Sequence, residues 1–147
     1  MTGYLCTGAY LVSGDHRKVT VSKTEKISLR DRKDSFVNAF QGIQVLIKTQ
    51  HNAWLHAVAT LIVCSAGVFF GITPLEWCCL VLCIMTVWAA EAMNTALELL
   101  TDLVSPEFHP MAGQAKDVAA GAVLIAAIGS TIVGTIVFGP YLWLMIT

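Results

Sequence analysis

Residues 77–104 read WCCLVLCIMTVWAAEAMNTALELLTDLV, an apolar run whose second half carries Glu91, Asn94, Glu98 and Asp102. A hydrocarbon layer is crossed by about 20 helical residues, so the run is long enough to span one. On a helix these polar positions stand at i, i+3, i+7 and i+11, and at about 100° per residue all four fall within one arc of about 80°. Glu91 and Glu98 are then about 10 Å apart along the axis, close enough for one ligand to touch both. A charged carboxylate in hydrocarbon costs at least about 2.5–3.5 kcal/mol on insertion scales, so three of them on one stripe need compensation. A cation or a buried partner helix compensates better than protonation, which removes the charge but not the polarity. The plainer alternatives are a hydrogen-bond cluster between helices, or carboxylates close enough to the surface to be wet. Asp102 fits the wet reading as well as the functional one, whereas Glu91, behind the run 78–90, is read as functional, the default for an intramembrane ionisable group.

The rest of the chain agrees with a membrane setting. Of 147 residues 56% are apolar and 13% charged, with mean hydropathy +0.68, against roughly 45–50% apolar in soluble globular chains. One domain is expected over residues 29–147, all-α, with spans at about 53–72, 77–104 and 118–138 and breaks at Thr73-Pro74 and in the stretch 105–115. Eight of the nine basic residues precede position 50. Interrupted by acids, they make no convincing nucleic-acid stripe, but they do orient the chain. Cytoplasmic flanks are enriched in Lys and Arg. Arg30, Arg32, Lys33, Lys48 and, after the second span, Lys116 place the N-terminus and the loop between spans two and three on the cytoplasmic side of the inner membrane. Trp54 then marks the inner interface, and Trp77, Tyr141 and Trp143 the outer one. Five cysteines, four of them in apolar runs, form no disulfide framework and read as small apolar fillers.

Upstream, Phe36, Phe40, Ile43 and Ile47 recur at helical spacing while Lys33, Gln41, Gln44 and Lys48 fall on other faces. Periodicity alone fits a helix packed on protein equally well. The adjacent spans and basic residues favour an amphipathic helix over about 29–50 lying on the membrane surface. Residues 1–28 have no sustained period and are expected to be a loosely ordered extension rather than a cleaved signal. Gly67-x-x-x-Gly71 and the ladder Ala122, Ala126, Ser130, Gly134 are small-residue faces for close helix packing in lipid.

The stretch after the second span adds Glu107 and His109 between two prolines, and Lys116-Asp117 just before the third. A solitary lysine there is commonly an interfacial anchor. Beside so many acids it also suits a phosphate whose counter-charge is a metal ion, the combination phosphoryl transfer requires. No Gly-rich phosphate loop is present. An oligomer whose carboxylate stripe binds ions without catalysis is the alternative, but it has no need of Glu107, His109, Lys116 and Asp117.

The run EAMNTALE at 91–98, Asp102, SPEFHP at 105–110 and AKDVAAGAVL at 115–124 resemble the prokaryotic diacylglycerol kinase and undecaprenol kinase family, and SFVNAFQGI at 35–43 is similar to its surface helix. The likeness covers about residues 30–138. It implies a homotrimeric membrane lipid kinase with active sites shared between subunits, moving the γ-phosphoryl group of ATP, with Mg2+, to the hydroxyl of diacylglycerol or undecaprenol. By position, Glu91 resembles the general base and Asn94 the polar group that orients it at the lipid, and Glu98 the magnesium-holding carboxylate. Glu107, His109, Lys116 and Asp117 resemble nucleotide contacts, as do Asn38 and Arg30 on the surface helix. Where many members carry a second metal-binding glutamate this chain has Gln50, which can offer magnesium a carbonyl oxygen but no charge. The SPEFHP and VAAGA wording is closer to the undecaprenol branch.

Overall fold

The computed structural model describes residues 29–147, with side chains from Arg32 onward. The expected N-terminal extension and the side chain of Arg30 lie outside the described residues. Four helices follow one another: α1 (Leu29–Thr49), α2 (His51–Phe70), α3 (Pro74–Val104) and α4 (Pro110–Ile146), and the described residues contain no strand. Three of them, α2, α3 and α4, are long and apolar enough to cross a membrane.

Each break has a local cause. A single extended residue, Gln50 (φ −101°, ψ 119°), separates α1 from α2. Gly71 ends α2 in the left-handed conformation (φ 60°, ψ 45°), with the Ile72 and Gly71 amides bonded back to the Gly67 and Val68 carbonyls. Only glycine adopts that geometry without steric cost. The second glycine of Gly67-x-x-x-Gly71 is therefore a helix terminator, and only Gly67 makes a close approach. Thr73 opens α3 through a reciprocal capping box with Glu76, and Pro74 occupies the first turn, where its missing N–H is not needed.

The largest departure from expectation is α4, which begins at Pro110 rather than near 118 and continues to Ile146 rather than 138. His109 caps it by accepting the Met111 amide on Nδ1 at 3.2 Å. Gly113 does not break the helix, because one glycine costs only about 1 kcal/mol and its turn is otherwise made of good helix formers. Pro140 is carried within the final turns, where only one backbone bond is forfeited. Lys116 and Asp117 consequently stand on a helix and not in a loop.

Packing is concentrated between α3 and α4, with α2 laid against α3 and α1 against both α2 and α3. Ile72, Leu80 and Val137 form the apolar centre near the α2–α3 turn, flanked by Phe70, Trp77, Phe138 and Tyr141. Tyr141 donates to Glu76 at 2.9 Å, tying the far end of α4 to the start of α3. Trp77 is half-buried, with its ring over Gly67. Trp88 Nε1 donates to Thr60 Oγ1 at 3.2 Å between α3 and α2, and Ser130 Oγ reaches the Cys83 carbonyl at 3.4 Å between α4 and α3. On α1, Phe36, Phe40, Ile43 and Ile47 are uncovered by the rest of the chain while Leu46 is buried.

A Cβ at Gly67 would stand 2.8 Å from two Trp77 ring atoms, whereas one at Gly129 meets nothing within 4 Å. Gly67→Ala is therefore expected to destabilise the protein by about 1–3 kcal/mol, as overpacking does. Gly129→Ala should be neutral or stabilising by up to about 1 kcal/mol. Thermal unfolding in detergent micelles checks both; equal midpoints would refute the close approach.

Candidate functional site

Glu98 is the hub. Its Oε1 accepts from Asn94 Nδ2 and its Oε2 from Gln50 Nε2, each at 2.9 Å. Asn94 lies one turn back on α3. Gln50 is 48 residues distant in sequence. Gln50 occupies the N-cap position of α2, yet its side chain makes no capping bond; it crosses to α3, so the α1–α2 junction is pinned to the carboxylate.

Two turns from Glu98 toward the centre of α3, Glu91 is wholly buried (0% exposed), and neither of its carboxylate oxygens has a hydrogen-bond partner. His56 on α2 presents Nε2 to Glu91 Oε2 at 3.8 Å, and this nitrogen too is buried without a partner, as is Asn94 Oδ1. The imidazole stands edge-on to Trp88 at 6.4 Å. His56, Glu91 and Asn94, with Asn52, line an open cleft of about 250 Å³ whose other wall is Ala120, Val123 and Ala127 of α4. A second cavity of about 590 Å³, almost entirely apolar, runs between α2, α3 and α4 past Val63, Ile84 and Phe138. The two share Leu55, His56 and Ala127, so they adjoin, the smaller one carrying the carboxylate and amide groups.

Helix length sets the depth of each group. Counted from Pro74 at about 1.5 Å per residue, Glu91 lies about 25 Å along α3, Asn94 about 30 Å, Glu98 about 36 Å and Asp102 about 42 Å. A helix that entered a hydrocarbon layer of about 30 Å at Pro74 would bring Glu91 and Asn94 to its far edge and carry the other two beyond it. Exposure follows the same order: Glu91 and Asn94 are buried, Glu98 is half-buried and Asp102 is exposed.

The remaining candidates sit at the wet end. Lys116 forms an ion pair with Asp102 across the α3–α4 connection, so the ammonium proposed for a phosphate is engaged by the last acid of the stripe. Glu107, His109 and Asp117 are exposed, as is Asn38 on α1. Ser105 Oγ donates to the Glu107 carbonyl at 3.1 Å, and His109 serves as the α4 cap. Among the described residues none of these hydrogen-bonds to the Glu98 cluster. The structure thus joins Glu91, Asn94, Glu98 and Gln50 in one constellation, and Lys116 with Asp102 beside it. His56 and Asn52 are additional members. The only sequence signal for His56 was its being the one ionisable side chain in an apolar span.

No group of three or more His, Cys, Asp or Glu is gathered for a metal among the described residues. The oxygen donors are the Glu98 carboxylate, the unpartnered Asn94 Oδ1 and, if its amide rotated away from Glu98, Gln50. Magnesium is commonly held by one or two carboxylates plus substrate phosphates. The set fits a cation that arrives with a phosphate ligand, and does not fit an all-protein cage.

Comparison with known proteins was consistent with this chemistry. The sequence model for prokaryotic diacylglycerol kinase matches residues 37–138. An undecaprenol kinase of Bacillus subtilis is 37% identical over 121 residues, covering 82% of this chain and 98% of that protein. A diacylglycerol kinase of Synechocystis is 38% identical over 114 residues, 76% of this chain and 65% of that protein. A diacylglycerol kinase of Escherichia coli is 32% identical over 75 residues, 51% of this chain and 62% of that protein.

Replacing the Gln50 amide by a carboxylate sets two anions against each other where a hydrogen bond now stands. Gln50→Glu is expected to lower stability in EDTA by about 1.5–3 kcal/mol, the worth of a hydrogen bond to a charged group. Magnesium should restore the loss and be required at lower concentration for turnover. Unfolding midpoints of both proteins with and without magnesium test this; a variant indifferent to the cation would place residue 50 outside the metal's reach.

Proposed function

The chain belongs to the prokaryotic diacylglycerol kinase family and is a lipid kinase, and from that premise we propose that it transfers the γ-phosphoryl group of ATP to the hydroxyl of a membrane lipid alcohol at the cytoplasmic edge of the bilayer. The observation that carries the reading is Glu91, a buried carboxylate with both oxygens unpartnered at the wall of a cleft that adjoins a larger, more apolar one. An alcohol must lose its proton as its oxygen attacks phosphorus, and a carboxylate within hydrogen-bond reach accepts it. Glu91 is that base. Asn94 fixes the approach by holding Glu98 with its N–H while its free carbonyl oxygen faces the same cleft.

Glu98, with Gln50 beside it, holds the magnesium that accompanies ATP. The ion, when bound, neutralises charge on the phosphates. Lys116 is the cation nearest the stripe and contacts phosphate by exchanging Asp102 for it. Glu107, His109 and Asp117, with Asn38 and Arg30 of the surface helix, form the nucleotide side in water. The uncovered apolar face of α1 rests on the membrane. Broad exposed apolar faces on α4, including Ile125, Ile132 and Ile136, are covered by lipid and by neighbouring subunits of a homotrimer.

The lipid tail occupies the apolar cavity, so no lid is needed to bring lipid and nucleotide together. Undecaprenol is favoured over diacylglycerol by the wording around residues 105–122 and by the near-complete coverage of the Bacillus relative.

Transfer of labelled phosphate from ATP to undecaprenol and to diacylglycerol in mixed micelles tests the reading. Glu91→Gln should reduce turnover by about 10²–10⁴-fold, the usual contribution of a general base, with the KM for ATP little changed. Glu98→Gln should instead raise the magnesium and ATP requirement. Equal activity of the two variants and the unaltered protein would remove the site assignment.

A further inference from the structure

We propose that His56 is a second catalytic residue, which grips the substrate hydroxyl together with Glu91; the proposal rests on the reading of Glu91 as the base. Its Nε2 and Glu91 Oε2 are 3.8 Å apart, too far for a hydrogen bond to each other. An oxygen atom at about 2.8 Å from each would sit to one side of the line joining them, once the two side chains part enough to admit it. Both atoms are buried and lack a partner, and both residues line the same cleft. Buried polar atoms in folded proteins are nearly always paired, so two orphans facing across one gap point to a ligand atom that serves both.

The chemistry of the two groups dictates the direction of each bond. An ionised carboxylate only accepts, while a neutral imidazole donates from one ring nitrogen. The Nε2–H tautomer is the one that avoids setting a lone pair against the carboxylate. An alcohol oxygen in the gap then accepts from His56 Nε2–H and donates its own proton to Glu91 Oε2, leaving its second lone pair to attack phosphorus. On transfer the O–P bond forms, the bond from γ-phosphorus to the bridging oxygen of ATP breaks, and the hydroxyl proton resides on Glu91. His56 keeps its proton throughout.

The imidazole is also held in place. Trp88 stands against it edge-on, and the indole N–H is anchored on Thr60, which itself donates to the His56 carbonyl at 2.7 Å. His56 also sits where the polar and apolar cavities meet, the junction at which a lipid's hydroxyl and tail must part.

The test compares His56→Gln, which keeps an N–H donor, with His56→Met, of similar length but without one, in the full chain and in micelles containing undecaprenol or diacylglycerol. The methionine variant should lose about 10- to 100-fold in kcat/KM for lipid, the effect of one hydrogen bond to a reacting group, with the KM for ATP unchanged. The glutamine variant should recover most of that loss. In the Glu91→Gln background neither substitution should reduce activity further. Equal losses in the two His56 variants, no loss in either, or losses that add to that of Glu91→Gln would each overturn the proposal. Should the methionine variant fail to fold, His56→Leu, which also lacks a donor, takes its place in both backgrounds with the same expected outcomes. Full activity in His56→Met with an inactive Glu91→Gln would refute His56 alone, whereas an active Glu91→Gln would refute the base on which it rests.

Discussion

A carboxylate buried without a hydrogen-bond partner is costly to keep, and the packing of α2, α3 and α4 around Glu91 bears that cost. Glu91 is the largest side chain that is completely enclosed. Leu80 and Val87 are buried on the same helix, so Glu91, Asn94 and Thr95 prolong an apolar contact stripe with polar groups. Such a stripe persists only if the surrounding backbone is held independently of it. That support comes from the α3–α4 packing and from the Trp77–Gly67 and Tyr141–Glu76 contacts at the opposite end. The apolar end of the bundle stabilises; the polar end is free to carry unpaired groups.

Along α3 the acids are treated differently according to depth. Asp102, in water, has Lys116; Glu98, half-buried, has two amide donors; Glu91, buried, has none. Satisfaction therefore falls as desolvation rises, the reverse of what stability alone would produce, since an unpaired polar group costs most where water cannot reach it. A site that must meet a hydroxyl inside the membrane edge and a triphosphate outside it has this same polarity: donors and acceptors are left open at the depth of the lipid oxygen and kept occupied by exchangeable partners at the depth of the phosphates.

The spans were legible because their apolar runs exceed what any soluble helix needs, and the stripe was legible because helical periodicity alone puts Glu91, Asn94, Glu98 and Asp102 on one face. Helix ends were less so. Gly113 and the two prolines read as a broken loop, yet the His109 cap and Pro110 start α4 directly, and this moves Lys116 to a turn of helix facing Asp102. The place of His56 was not readable at all. Its meeting with Glu91 depends on how α2 is rotated against α3, which is set by the Trp88–Thr60 bond and the Gly67–Trp77 contact, and neither leaves a mark in local periodicity. Gly71 shows the converse: a motif that reads as a packing face is consumed by the need to end a helix.

Gln50 shows how one neutral side chain can reconcile these demands. A carboxylate there would confront Glu98 whenever no cation lay between them, and the α1–α2 junction would swing away from α3. The amide instead donates to Glu98, which seats the junction on α3, and on the proposed reading rotation of the same amide would turn its oxygen toward a cation. Its contribution to metal binding is smaller than a charge would make, since an amide oxygen brings a dipole only. In exchange, Glu98 is held at a fixed distance from Asn94, and through Asn94 the cleft beside Glu91 keeps its shape. On the proposed reading, an amide at position 50 would exchange affinity for a cation against preorganisation of the carboxylates around it.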